Sequence, residues 1–144
     1  MSETLSTPRD RKRTLILLAV CVFSAGAAVV FGIDDNPPGV LLAFLAAVTF
    51  ILAFAHPWRT ARKFLYLLLA AIIGIVLFIA LNIITDTIAQ NPGAPVALLD
   101  LLDSPAYEVP TTVFALLLPA AFIVGALGSL VMFIRGRRQS KLKP

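Results

Sequence analysis

Asn82, Thr85 and Asp86 stand at intervals of three and four residues, a spacing that sets all three on one face of any helix that carries them. Lipid cannot satisfy the carboxamide of Asn82, so this face must turn toward protein or water. A tight turn holding Asp34 and Asp35 can reach the same level. The carboxylates of Asp34, Asp35 and Asp86, with the Asn82 and Thr85 oxygens, would then form an acidic, oxygen-rich site suited to a hard cation, or a polar vestibule. The simpler reading, which the sequence favours, is a set of solvated acids balancing an interfacial boundary.

Little else in the chain suggests a reaction. His56 is the only histidine, and it lies beside Pro57 and Trp58, where its ring can bond interfacial water or lipid. Cys21 is the only cysteine, which excludes disulfides and cysteine metal clusters within one chain and leaves it the part of a small apolar side chain. No nucleophile paired with a base and no phosphate-cradling glycine loop occurs, so no catalytic residue and no cofactor are assigned.

The elements that must position these groups are membrane helices. With 59% hydrophobic and only 14% charged residues among 144, the composition is not that of a soluble domain. Four apolar stretches, 14–33, 39–55, 64–85 and 111–134, meet or approach the roughly 20 residues needed to cross a bilayer. They lack the alternation and the shorter length of barrel strands. The fold class expected is all-α: an integral membrane four-helix bundle, flanked by basic tails at 1–13 and 135–144.

Charge orients it. The twelve Lys and Arg residues fall in three groups: Arg9, Arg11, Lys12 and Arg13; Arg59, Arg62 and Lys63; and Arg135, Arg137, Arg138, Lys141 and Lys143. Positive charge resists translocation, so both termini and the middle connection are read as cytoplasmic, in the inner membrane of a prokaryote. Asp34, Asp35, Asp86, Asp100, Asp103 and Glu108 fall in the two remaining connections, which face outward.

The first stretch also has features of a signal peptide, because Arg11, Lys12 and Arg13 precede an apolar core and Ala25-Gly26-Ala27 resembles a cleavage site. Apolar character continues through Val29, Val30, Phe31 and Ile33, which favours an uncleaved anchor. A lipoprotein signal ending at Cys21 is disfavoured by Val20, which stands where such signals require a small residue.

Only Asp34 to Pro38 joins the first two helices, which must therefore be antiparallel neighbours. Asn36 suits the N-cap of the second helix and Pro37 its first position. Arg59, Arg62 and Lys63 share one face if the third helix begins early. With Arg135, Arg137 and Arg138 they are the expected contacts to anionic lipid. The longest connection, 86–110, contains Pro92, Pro95, Pro105 and Pro110 and, at 96–103, a short amphipathic segment. There Leu98, Leu101 and Leu102 oppose Asp100 and Asp103, with Leu99 at the margin, as in a helix lying on the outer surface or capping the bundle.

Small residues supply packing surfaces, above all Gly125, Gly128 and Ser129 in the fourth stretch, with Ser24, Ala25, Ala27, Ala28, Ala43, Ala46 and Ala47 elsewhere. Pro119 should free the Ala115 carbonyl and kink its helix. The absence of Asp, Glu, Lys and Arg from the apolar stretches disfavours coupled transport. The expected function is a non-catalytic accessory, assembly or regulatory membrane protein acting through helix and lipid contacts. An oligomeric pore or facilitator for an ion or small solute is the alternative. Expected partners are membrane lipids and a membrane protein or a second copy of the chain; nucleic acid is not among them.

Overall fold

The computed structural model describes residues 8–32, 36–58, 60–91 and 93–140, with backbone only for residues 8, 9 and 138–140. The described residues form five helices: α1 (Pro8–Phe31), α2 (Pro37–Ala55), α3 (Ala61–Ala89), α4 (Val96–Leu102) and α5 (Pro105–Ser140). All but α4 are long and apolar enough to cross a membrane.

These helices overrun the apolar stretches that announce them. At 1.5 Å per residue the 36 residues of α5 extend about 54 Å and the 29 of α3 about 44 Å, against a hydrocarbon layer of roughly 30 Å. Once a span is formed, helical hydrogen bonding propagates into the polar flanks one residue at a time, whatever their hydropathy. Asp86 thus lies inside α3. The connection expected over 86–110 is largely helical: Pro105 is the first residue of α5 and Pro110 sits in its second turn. Ser104 starts that helix, its carbonyl accepting from the Glu108 N–H at 3.1 Å. Pro105 needs no N–H partner there, and Pro110 and Pro119 leave only the Ala106 and Ala115 carbonyls without their usual donors.

Asn36 and Pro37 stand at the N-cap and first position of α2, as expected, but the cap itself is made differently. The Asn36 side chain makes no cap bond to α2. Its Nδ2 instead donates to the Phe31 carbonyl at 2.8 Å, closing the end of α1. Gly32, at φ +80°, supplies the left-handed residue that terminates α1, a conformation costly for any residue with a Cβ.

The helices pack in the order α1, α2, α5, α3, with α4 lying on α5. α1 and α3 are the edges of this row. α2 and α5 are its interior members: 39% of the apolar span of α2 and 17% of that of α5 are buried, against 11% in α1 and 6% in α3. Gly39, Ala43, Ala46, Ala47, Thr49, Ala53 and Ala55 are buried over an arc wide enough for a neighbour on each side. The α3–α5 contact is antiparallel, since Gly74 meets Leu118, Leu68 meets Gly125 and Phe64 meets Gly128. Near one end of the row Ala55, Phe64 and Val124 form a buried cluster with Trp58, Leu67 and Met132 against it. The Trp58 and Phe64 rings meet edge-on at 5.4 Å.

Candidate functional site

The polar face expected at the end of α3 is present in part and is completed by a residue outside that helix. Asn82 and Thr85 are half-buried, whereas Asp86 is exposed. Asn82 Nδ2 donates to the Phe78 carbonyl at 2.8 Å and Thr85 Oγ1 to the Asn82 carbonyl at 2.9 Å. Tyr107, in the first turn of α5, then donates its hydroxyl to Thr85 Oγ1 at 3.2 Å and ties the two helices together. Sequence reading missed Tyr107. Its one available signal was an aromatic hydroxyl near a membrane boundary, but its partner depends on how α3 and α5 align.

Asp34 and Asp35, needed for the acidic cation site, lie outside the described residues. Among the described residues no three His, Cys, Asp or Glu side chains gather closely enough to share a metal ion.

Two further hydroxyls within the spans, those of Thr49 and Ser129, turn back on their own helices. Thr49 Oγ1 lies 2.8 Å from the Leu45 carbonyl and 3.0 Å from that of Ala46, and Ser129 Oγ donates to the Gly125 carbonyl at 2.7 Å. Such bonds satisfy a hydroxyl without any partner helix. His56 caps the end of α2, its N–H donating to the Leu52 carbonyl at 2.8 Å. Its Nδ1 lies 3.1 Å from the Ala53 carbonyl. Nε2 is buried without a hydrogen-bond partner.

Gly125 and Gly128 both face α3. A Cβ on Gly125 would stand 2.9 Å from the Leu68 amide nitrogen, and one on Gly128 would enter the Phe64 ring. This surface is therefore occupied within the chain. The alanines behave differently: Ala43, Ala46 and Ala47 of α2, with Ala28 and Cys21 of α1 and Leu117 of α5, line an open apolar groove of about 330 Å³. The α4 segment also departs in detail from the sequence reading. Leu98, Leu99 and Leu102 are half-buried, while Leu101 is 55% exposed, because α4 rests on α5 through a face rotated from the one the leucine pattern suggested.

The described cations collect at one end. The short first connection folds α1 back along α2, and α2 and α5 run the same way. The first halves of α2 and α5 share the groove, and Ala55 meets Val124 further along. With α3 antiparallel to α5, the start of α1, the start of α3 and the end of α5 lie together. Arg11, Lys12, Arg13, Arg62, Lys63, Arg135 and Arg137 are exposed there. The Arg137 guanidinium lies 4.6 Å above the Phe133 ring. α3 begins at Ala61 and carries Arg62 and Lys63 in its first turn, while Arg59, the third member of the expected face, lies outside the described residues. The Arg138 side chain is not described. Asp86, Asp100, Asp103 and Glu108 are exposed at the opposite end.

Comparison of the chain with protein-family models, with curated proteins and with solved structures gives no match.

Proposed function

We propose that this protein is a non-catalytic, multi-pass component of a prokaryotic cytoplasmic membrane, with both termini inside, that acts as an accessory, assembly or regulatory partner through helix and lipid contacts. The collection of Arg and Lys at one end of the helix row and of acids at the other supports the orientation, because positive charge is retained on the cytoplasmic side. On this orientation α4 covers the outer end, with Leu98, Leu99 and Leu102 toward the helices and Asp100 and Asp103 toward water.

The observation that carries the functional reading is the closure of Thr49, Asn82, Thr85 and Ser129 onto carbonyls of their own helices. What the row offers its surroundings at membrane depth is apolar: the flanks of α1 and α3, and the groove floored by alanines. Surfaces of small residues let another helix approach closely, which is how helices associate in lipid.

Crosslinking and copurification at natural expression levels test this, with a stable partner or self-assembly expected. A chain that always elutes alone would overturn it. Solute flux through reconstituted vesicles that is abolished by Asn82→Ala with Asp86→Ala would replace it with a pore. Reporter fusions at the two termini should register in the same, cytoplasmic, compartment.

A further inference from the structure

We infer that the basic end of the helix row is a docking surface for the phosphate groups of anionic lipids in the leaflet it meets. The inference rests on the reading that the four long helices cross a membrane, and it assigns that membrane's lipids a specific place on the chain.

Three helices carry the cations at this end, α3 and α5 side by side and α1 at the other edge of the row. Arg11, Lys12 and Arg13 belong to α1, Arg62 and Lys63 to the first turn of α3, and Arg135 to the end of α5, all exposed. Asp10 is the one described acid at this end. The cations stand on helix rather than on loose tail, since α1 begins at Pro8 and α5 continues to Ser140. Little backbone freedom remains to be lost when a ligand is held. Arg135 also has a defined direction. It continues the stripe Gly125, Gly128, Met132, at steps of three, four and three residues, along the α5 face that meets α3. Beyond Met132 that face looks over the start of α3, where Arg62 and Lys63 stand.

The apolar surroundings select the partner. Leu15 and Ile16 follow the α1 cations, Leu65 and Tyr66 follow those of α3, and Phe133 and Ile134 precede Arg135, all exposed. A ligand that satisfies this surface combines phosphate with hydrocarbon within one helical turn, which describes a phospholipid and not a soluble polyanion. Long basic side chains serve this purpose, laying their stems on apolar surface while their heads reach phosphate.

Trp58 is the only tryptophan and packs on Phe64 at this same end, so its fluorescence reports the lipids nearby. The full chain is reconstituted in equimolar phosphatidylglycerol and phosphatidylcholine, with one or the other brominated in its acyl chains. Brominated phosphatidylglycerol should quench Trp58 several-fold more effectively at low salt, and the preference should weaken as salt rises. In the triple variant Arg62→Gln, Lys63→Gln, Arg135→Gln the preference should fall by about five-fold or more. In Asp86→Asn with Asp103→Asn, at the other end, it should persist.

Equal quenching by the two lipids in the parent chain, or an undiminished preference in the triple variant with normal helical circular dichroism, overturns the inference. Loss of the preference on adding inorganic phosphate, but not chloride at matched ionic strength, would assign the surface to soluble phosphate and also overturn it. Alkaline extraction separates the two levels. A chain washed from the bilayer fails the spanning reading itself, whereas one retained without lipid preference fails only this inference.

Discussion

Gly125 of α5 approaches Leu68 of α3 so closely that a Cβ added to the glycine would lie 2.9 Å from the Leu68 amide nitrogen and 3.0 Å from its Cα. Backbone meets backbone there, with nothing between that can rotate away. In lipid, where burying apolar surface supplies little drive for helices to associate, such contact is the main source of attraction between them. Gly125→Ala should therefore lower stability by about 1–3 kcal/mol, as overpacking does. Gly26→Ala, with nothing within 4 Å of its added Cβ, should not. Unfolding in mixed micelles of increasing denaturing detergent measures both. A parent-like Gly125→Ala would mean that α3 and α5 do not pack in this register.

Gly128 offers a contrast one turn along. Its added Cβ would meet the Phe64 side chain and not backbone. Gly128→Ala should accordingly be destabilising alone and partly rescued by Phe64→Leu, whereas Phe64→Leu should do nothing for Gly125→Ala. A double-mutant cycle reads the coupling, and additivity between positions 64 and 128 would contradict the contact.

The hydroxyl bond from Tyr107 to Thr85 joins α5 to α3 at 3.2 Å. Interhelical hydrogen bonds in membrane proteins contribute about 0.6 kcal/mol on average. Tyr107→Phe and Thr85→Val should each cost about that much, and the pair no more than one. The more sensitive readout is amide exchange, which should quicken in α4 and the first turns of α5 while the middle of α2 stays unchanged.

Gly32 ends α1 with φ +80°. Gly32→Ala has open space for its methyl group but not a favourable backbone, and should destabilise by about 1 kcal/mol. Gly32→Asn should be milder, because asparagine tolerates the left-handed region better. Equal losses in the two variants would point to a cause other than backbone conformation.

Cys21, the one thiol in the chain, is half-buried where it lines the α1–α2–α5 groove. In intact membranes a charged maleimide should leave it unlabelled, while a small membrane-permeable maleimide should modify it slowly. Rapid labelling by the charged reagent would place the groove in contact with water.

The sequence by itself determined the number and approximate position of the long helices, because four uninterrupted apolar stretches of spanning length leave the backbone no better way to bond in lipid. It also determined which helix ends carry charge, since Arg62 and Arg135 need no neighbours to be basic. It did not determine helix length, because cooperativity carries α3 past Asp86 and α5 through Pro110 into polar sequence that hydropathy treats as loop.

Only the tertiary structure decided the order α1, α2, α5, α3, and with it the fate of each small residue. In the sequence Gly125 and Ala46 are alike, two small residues on apolar helices. One lies against Leu68 and the other lines an open groove. Periodicity assigns a residue to a face, but which helix covers that face depends on the fit of whole surfaces. The same limit hid Tyr107: a hydrogen bond across 22 residues of sequence exists only once α3 and α5 have chosen their register.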